Sequence, residues 1–267
     1  MSFKVISKFP LAYDSDDRKD PKGAIYDNSK NYRFNEKIYS YFKDCQNIHR
    51  KNIKVLDLGC AGGGSVRDFL EGGCTAIGID GSDASLNLKR AEWATLENHY
   101  LFTADITKEF QIVDGSNENC KFDLITSWEV MEHIKIDELE VLLTNINNHL
   151  KDMGLFIVSI DITEGKSETG LKLHQTVRSK NYWVNLFKKH NLVERPEFLN
   201  YFNNHYIRSV KFSAPNSFVG VFTKNYSTPI PKKLKLKTKI MDYWFGSKTQ
   251  KTIKRFIMGP NPSDKKI

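Results

Sequence analysis

A glycine-rich loop that follows a short apolar strand constrains the fold of this chain more than any other feature. The predicted strand Lys54–Leu58 runs into the sequence GCAGGG, and a helix is predicted to begin directly after it at Gly64. Glycines let a ligand approach the backbone of such a turn, and unpaired amides at the start of a helix attract anionic or electron-rich groups. The pattern predicts a strand, loop and helix that bind a ligand at the edge of a parallel sheet.

An acidic residue at the end of the next apolar run makes this signal more specific. Asp80 follows the run Thr75–Ile79, about 20 residues beyond the loop, where a carboxylate can accept hydrogen bonds from ribose hydroxyls. A glycine-rich loop followed by such an acid binds both dinucleotides and S-adenosylmethionine. A third acid, Asp105 in the segment Phe102–Ile106, is suited to an adenine amine and favours S-adenosylmethionine.

Short apolar runs alternate with helical stretches from residue 53 onward, which is the pattern of a parallel sheet covered by helices. The predicted strands are Ile53–Leu58, Thr75–Ile79, Tyr100–Thr103, Phe122–Ser127 and Leu155–Ile160. The predicted helices are Asn35–Cys45, Gly64–Glu71, Ala84–Thr95, Ile136–Leu150 and a stretch from Ser179 through His190. A turn is predicted at Asp152-Met153-Gly154, and Val193–Tyr201 with Ser217–Thr223 should close the sheet as an antiparallel pair.

The DxGxAxG loop, the two later acids and the order of the strands together resemble the class I S-adenosylmethionine-dependent methyltransferases. The resemblance spans about Tyr32 to Thr223 and implies a Rossmann-like α/β fold, with a mostly parallel seven-stranded sheet and helices on both faces. It implies that the residues in contact with S-adenosylmethionine are Asp57, Gly59, Ala61, Gly63, Asp80, Asp105, Ile106 and Trp128. A dinucleotide-dependent oxidoreductase and a glycine turn used only for packing are the alternatives.

A second group of reactive side chains follows the fourth predicted strand, in the sequence SWEVMEHI from Ser127 to Ile134. On a helix, Glu129, Glu132 and His133 would share one face and lie beside the cofactor. Two carboxylates and an imidazole suit a divalent cation such as Mg²⁺ or Mn²⁺, which would acidify a substrate hydroxyl. Without a metal, His133 would act alone as a general base, or the segment would be structural.

The ExxEH spacing resembles that of metal-dependent O-methyltransferases of the small-RNA 2′-hydroxyl and ubiquinone-pathway kinds. That resemblance implies a metal set of Glu129, Glu132 and His133, and it adds His174 from the segment after the fifth strand. Catalysis is accordingly assigned to His133, Glu129 and Glu132.

The acceptor is expected to be a hydroxyl, because the fourth strand is not followed by the Asn-Pro-Pro-Tyr or Asp-Pro-Pro-Tyr sequence typical of amine methylation. The order of Asp20–Gly23, Asp27–Ser29, His174 and Tyr182-Trp183 resembles methyltransferases of glycan synthesis, so a sugar or glycan intermediate is the main expectation. The enzymatic alternatives are RNA ribose 2′-O-methylation and small-molecule, quinone-type O-methylation. A catalytically inactive methyltransferase-like binding module is the alternative outside enzymes.

Positive charge is concentrated at the carboxyl-terminal end of the chain. Residues 229–267 hold 11 lysines and arginines against 2 aspartates, a net charge near +9, whereas residues 1–228 are near −1. The near-neutral body argues against a nucleic-acid substrate. Apolar positions that would share a helical face opposite basic ones are typical of a helix at an anionic membrane surface. The first expectation is still a solvated or partly disordered extension whose apolar residues pack on the domain, and contact with a membrane surface or an anionic polymer is the alternative. The apolar positions are Ile253, Phe256 and Ile257, the basic ones are Lys251, Lys254 and Arg255, and the anchors are Trp244 and Phe245.

Three segments are therefore predicted: a lid or arm over residues 1–34, a methyltransferase domain over 35–228 and a basic extension over 229–267.

With 40% hydrophobic residues the chain can bury a large core. The sequence holds no run of about 18 apolar residues and no secretory signal, so a cytosolic enzyme is expected. Its four cysteines, too widely spaced for a zinc knuckle, are expected to be free thiols: Cys45, Cys60, Cys74 and Cys120.

Overall fold

The computed structural model describes residues 2–244, 249–250 and 252–253. Within this part of the chain the strands are β1 (Phe3–Ser7), β2 (Lys54–Leu58), β3 (Thr75–Asp80), β4 (Leu101–Thr103), β5 (Phe110–Asp114), β6 (Phe122–Trp128), β7 (Leu150–Asp161), β8 (Val193–Glu194) and β9 (Ser217–Thr223). The α-helices of the same part are α1 (Asp16–Lys19), α2 (Lys22–Tyr26), α3 (Tyr32–Gln46), α4 (Gly64–Glu71), α5 (Ala84–Asn87), α6 (Trp93–Leu96), α7 (Leu139–His149), α8 (Lys180–Lys189), α9 (Glu197–Phe202) and α10 (Leu236–Trp244).

One seven-stranded sheet organises the molecule, with the strand order β4-β3-β2-β6-β7-β9-β8. The strands β4, β3, β2, β6 and β7 run parallel to one another. β9 lies antiparallel to both β7 and β8. Leu58 pairs with both Ile79 and Ser127, so the carboxyl ends of β2, β3 and β6 lie level at one edge. This topology confirms the predicted Rossmann-like α/β fold with a mostly parallel sheet.

Apolar side chains that alternate along the strands build a core on each face of the sheet. In β2, Val55 belongs to one core cluster and Leu56 to the other, which is the period of two expected of a strand buried on both sides. One cluster includes Leu142 of α7 and Phe187 of α8, and the other includes Phe34 of α3. Helices therefore cover both faces, as predicted.

Two predicted elements differ in the structure for reasons of backbone conformation. The helix expected over Ala84–Thr95 is split into α5 and α6, because Lys89 and Ala91 adopt positive φ angles of 47° and 50°, which an α-helix does not contain. The turn expected at Asp152-Met153-Gly154 lies inside β7. There the pairing with β6 passes from Phe122 opposite Leu150 to Leu124 opposite Leu155, so a bulge absorbs the extra residues.

The ends of the main domain also contain elements that the sequence did not indicate. The strand expected over Val193–Tyr201 is only two residues long, because Pro196 has no amide for the ladder and instead precedes α9. The β8–β9 pairing is antiparallel as expected. A separate two-stranded antiparallel sheet joins β1 to β5, so the amino-terminal arm begins with a strand.

Part of the basic extension folds as α10, whose Asp242 is buried against the body. The predicted anchor Phe245 and the positions Lys251, Lys254, Arg255, Phe256 and Ile257 lie outside the described residues. Among the residues that the structure describes, the helices are too short and too polar to span a bilayer.

Candidate functional site

A cavity of about 300 Å³ lies at the carboxyl edge of the sheet, where open α/β sheets bind their ligands. It brings together six of the eight residues predicted to contact the cofactor. These are Gly59, Ala61, Asp80, Asp105, Ile106 and Trp128. The cavity is also lined by Glu129 and His133, so the candidate cofactor site and two of the predicted catalytic residues share one space.

The glycine loop and the acid that ends β3 are joined by hydrogen bonds. Ala61 stands in the left-handed region with φ of 45°, a conformation that costs a non-glycine residue about 1–2 kcal/mol. Its amide donates to Asp80 Oδ2 at 2.8 Å, and its carbonyl accepts from Trp93 Nε1 at 2.6 Å. These bonds hold the loop in the shape that exposes its backbone to the cavity.

The Asp80 carboxylate is preorganised to accept further hydrogen bonds. Its second oxygen accepts from the Ser82 amide at 2.9 Å, and each carboxylate oxygen has capacity for another donor. Burial raises the pKa of Asp80 to about 6, so the group is mainly ionised at neutral pH. Asp105 is oriented at the neighbouring strand end by Thr107, whose amide and hydroxyl donate to Asp105 Oδ1 at 2.9 and 2.6 Å.

Two of the predicted cofactor residues lie outside the cavity lining. Asp57 is buried within β2, where its Oδ1 accepts from the Thr126 hydroxyl at 2.6 Å. Gly63 adopts φ of 82° at the start of α4, and a Cβ there would approach Leu101 Cδ1 to 2.6 Å. Asp57 is therefore a buried residue of β2 bonded to β6, and Gly63 is a position where close packing against Leu101 leaves no room for a side chain.

The segment after β6 does not form the predicted α-helix. Glu129 has a positive φ of 56°, and Met131–His133 is a single 3₁₀ turn, so Glu129 does not share a helical face with Glu132 and His133. The Glu129 side chain instead turns toward β9, where its Oε2 accepts from Ser217 Oγ at 2.6 Å. Glu129 lines the cavity but is not part of the group formed by the other three predicted metal ligands.

That group consists of Glu132, His133 and His174, whose ligand atoms lie within 4.8 Å of one another in the described part of the chain. Glu132 is fully buried, and its Oε1 accepts from the Asp161 amide at 3.0 Å. Burial raises the pKa of Glu132 to about 8. His174 directs Nδ1 to the Thr163 carbonyl oxygen at 2.6 Å, and its ring stands edge-on to that of His133 with centroids 4.8 Å apart.

Helix α1 contributes a partner for His133 that the sequence did not reveal. Asp17 Oδ1 of α1 lies 2.9 Å from His133 Nδ1. Burial lowers the pKa of His133, but the hydrogen bond and charge of Asp17, together with the charges of Glu132 and Glu129, outweigh it and raise the pKa to about 8. The pair holds the imidazole in one orientation toward the cavity.

Further cavity residues are Asp27, from the segment predicted to be a lid, and Arg208, for which the sequence indicated no role. Asp27 and Arg208 form an ion pair at the rim, and the Asp27 carbonyl accepts from the Gly62 amide at 3.0 Å. The polar stretch from Tyr13 to Asn31 identified the lid as a segment, but no spacing within it distinguished Asp17 or Asp27 from its other acids.

Comparison with known proteins finds similarity to methyltransferases. A family model described as "Methyltransferase domain" matches residues 30–209. A ubiquinone biosynthesis O-methyltransferase of Bartonella tribocorum is 28% identical over 108 residues, which cover 40% of this chain and 41% of that protein. The protein of the same name from Dinoroseobacter shibae is 32% identical over 111 residues, 41% of each chain. The match thus spans about two fifths of the length of these relatives.

Among solved structures, an S-adenosylmethionine-dependent methyltransferase from Clostridium acetobutylicum superposes with a TM-score of 0.49 at 16% identity. The superposition covers 77% of this chain and 98% of that one.

Proposed function

Because the chain belongs to the methyltransferase-domain family, whose model matches two thirds of its length, we propose that it transfers a methyl group from S-adenosylmethionine to a hydroxyl on a quinone-type aromatic ring. The observation that carries the proposal is the shared cavity, which is lined by the glycine loop and Asp80 and also by the imidazole of His133. A methyl donor and an acceptor hydroxyl can therefore meet in one space.

Methyl transfer from a sulfonium is an in-line displacement, so the protein mainly positions the two reactants and removes the acceptor proton. In the proposed complex Asp80 accepts hydrogen bonds from the ribose hydroxyls, and Asp105 with Ile106 surrounds the adenine. The backbone of Gly59 and Ala61 lies against the methionine part. All five residues line the cavity.

His133 is the proposed general base in its neutral form, which predominates above about pH 8 because of its raised pKa. The Asp17 carboxylate beside Nδ1 leaves Nε2 to take the proton of the acceptor hydroxyl, and it stabilises the imidazolium that forms. A phenol, with a pKa of about 10 as in tyrosine, is far closer in acidity to an imidazole than an alcohol near the 15.7 of water. An imidazole base is thus better matched to an aromatic hydroxyl than to a sugar hydroxyl.

Two further observations favour a quinone-type acceptor over the glycan that the sequence led us to expect. The curated relatives described above are named for ubiquinone biosynthesis and O-methylation. The cavity wall next to His133 also includes the apolar side chains of Trp128, Val130 and Ile134, which suit a flat ring. A glycan acceptor has no comparable support and becomes the alternative.

A divalent metal is the alternative to His133 as a free base, because Nε2 of His133 cannot bind an ion and accept the acceptor proton at the same time. The donor set fits such an ion. Glu132 Oε2 is buried and makes no hydrogen bond with the described residues. His133 Nδ1 faces the Asp17 carboxylate and His174 Nδ1 faces a carbonyl oxygen, which is how metal-binding histidines are usually oriented. Glu132, His133 and His174 would hold the ion. When bound, it would lower the pKa of the acceptor hydroxyl.

The acceptor is tested by turnover with methyl-labelled S-adenosylmethionine on a catechol that carries an alkyl chain, compared with a sugar acceptor. We expect methylation of the catechol, loss of turnover in His133→Ala and normal turnover in the control His99→Ala, because His99 is exposed and outside the cavity. Methylation of the sugar alone would overturn the quinone-type proposal, and unchanged turnover in His133→Ala would remove the assigned base.

The metal is tested separately by titrating Mn²⁺ into the chelator-treated protein in a calorimeter. Binding that is lost in Glu132→Gln and in His174→Ala but kept in Glu129→Gln would support the three-residue set. Absence of binding, together with full turnover after chelation, would leave His133 as a metal-free base.

A further inference from the structure

The helix α10 is fastened to the body through one buried side chain. Asp242 is the buried residue of this helix, and its carboxylate pairs with Lys37 of α3. Its backbone carbonyl is 2.7 Å from His205 Nε2 and accepts from Lys211 Nζ at 2.8 Å. These contacts fix which side of α10 faces the protein.

The opposite side of α10 presents an apolar stripe to solvent. Leu236, Ile240, Tyr243 and Trp244 are spaced at i, i+4, i+7 and i+8, so they lie on one side of the helix. Leu236 is 73% exposed, Ile240 59% and Tyr243 74%. Soluble proteins usually turn such a stripe inward, so its outward position calls for a partner.

Lysines border this stripe on both sides. At 100° per residue, Lys237 and Lys239 flank the apolar positions, and Lys232, Lys233 and Lys235 precede the helix. All five are exposed, whereas the acid of this segment, Asp242, is buried and paired. The outward surface is therefore apolar along its centre and positively charged along its edges.

We propose that α10 lies in the surface of an anionic lipid membrane. An outward apolar stripe would enter the boundary between headgroups and acyl chains, the flanking lysines would reach anionic headgroups through their long stems, and Tyr243 and Trp244 would sit at headgroup level. Charge complementarity selects a lipid surface over a second copy of this chain, because two copies would bring the lysine borders together. The inference rests on α10 and is independent of the acceptor.

The experiment measures co-sedimentation of the full chain with vesicles of phosphatidylcholine alone or mixed with phosphatidylglycerol, at low and high salt. One variant combines Leu236→Ser, Ile240→Ser and Tyr243→Ser, and a second combines Lys237→Gln with Lys239→Gln. The matched control combines Leu88→Ser with Tyr226→Ser, which removes exposed apolar side chains elsewhere on the surface. Thermal unfolding and S-adenosylhomocysteine affinity establish that each variant is folded.

We expect binding to the anionic vesicles that weakens at high salt. The serine variant should lose more than about tenfold of it, the glutamine variant about fivefold per lysine, and the control none. Equal binding to neutral vesicles, no vesicle binding, or wild-type binding by the serine variant would overturn the proposal. A dimer in sedimentation that the serine variant dissociates, without vesicle binding, would assign the stripe to a second copy instead.

Discussion

Ala61 illustrates how much of the site depends on the partners of individual residues. A φ of 45° is unfavourable for a residue with a β-carbon. Two hydrogen bonds nevertheless hold Ala61 in this conformation: its amide donates to Asp80, and its carbonyl accepts from Trp93. His133 depends in the same way on Asp17. At the scale of the residue, the site therefore consists of pairs in which one member orients the other.

Replacing Asp80 by Ala should weaken binding of S-adenosylmethionine and S-adenosylhomocysteine by on the order of 2–3 kcal/mol, because a charged hydrogen-bond acceptor is removed. Isothermal calorimetry measures the change. The control is Asp83→Ala, which removes a nearby carboxylate that does not itself line the cavity, although its partner Arg18 does. It should change affinity by less than about 0.5 kcal/mol. Equal affinities for the Asp80 variant and the parent protein would contradict the assignment.

Replacing Asp17 by Asn should lower the pKa of His133. Burial already lowers it, and the Asp17 hydrogen bond and charge are the largest of the influences that raise it to about 8. Nuclear magnetic resonance of the labelled imidazole across a pH titration measures the pKa, which should move toward or below the ordinary value of about 6.5. Asp16→Asn is the control, because Asp16 bonds Gln175 and Lys19 instead. An unmoved pKa would show that the pair does not form in solution.

At the scale of the element, short helices with few apolar contacts are placed by polar contacts. The lid helix α1 contacts the body through Asp17 with His133, Arg18 with Asp83 and Asp16 with Gln175. Helix α10 is held by Asp242 in the same manner. Such elements have no buried apolar side chains of their own, so a few polar contacts decide where they dock.

Replacing Asp242 by Ala should destabilise the protein by about 3 kcal/mol, because it leaves the Lys37 ammonium, on a side chain that is only 11% exposed, without its charge partner. Urea unfolding measures the loss. Asp152→Ala is the comparison, since Asp152 is an exposed partner of Lys224 and its removal should cost less than about 1 kcal/mol. Similar losses in both variants would mean that the Asp242–Lys37 pair contributes no more to stability than the exposed Asp152–Lys224 pair.

At the scale of the whole molecule, the central sheet places ionisable groups deep in the core. Asp57 lies within β2, and burial, only partly offset by the Thr126 hydrogen bond, raises its pKa to about 7. In the unfolded chain an aspartate has a pKa of about 3.9. Between these values folding retains a proton that the unfolded chain has lost, so the contribution of Asp57 to stability is present below about pH 4 and disappears as the pH rises through 7.

Replacing Asp57 by Asn should therefore remove part of the pH dependence of stability. The free energy of unfolding of the variant relative to the parent should rise between pH 5 and pH 7 by at most about 1.4 kcal/mol per pH unit. Urea melts across this range provide the measurement, and the exposed Asp44→Asn should show no such trend. A constant difference between variant and parent would indicate that Asp57 is ionised throughout.

Features carried by contiguous residues were predictable. The strand, loop and helix around Gly59, the acids that follow β3 and β4 and the alternation of apolar runs are local patterns. They predicted the sheet, and six of the eight predicted cofactor residues line the cavity. The 3₁₀ turn that separates Glu129 from Glu132 was missed. The preference for a helix there was overridden by two contacts of Glu129: its amide donates to Ser159 Oγ of β7, and its carboxylate accepts from Ser217 Oγ of β9.

The sequence by itself determined the fold, because periodic burial and the steric freedom of glycine are properties of neighbouring residues. The tertiary structure alone decided which distant side chains meet. Asp17 reaches His133 across more than a hundred residues, and Asp242 reaches Lys37 across about two hundred. Such pairs depend on how elements dock in space, and no local pattern of charge distinguishes the acid that is buried and paired from those that remain in solvent.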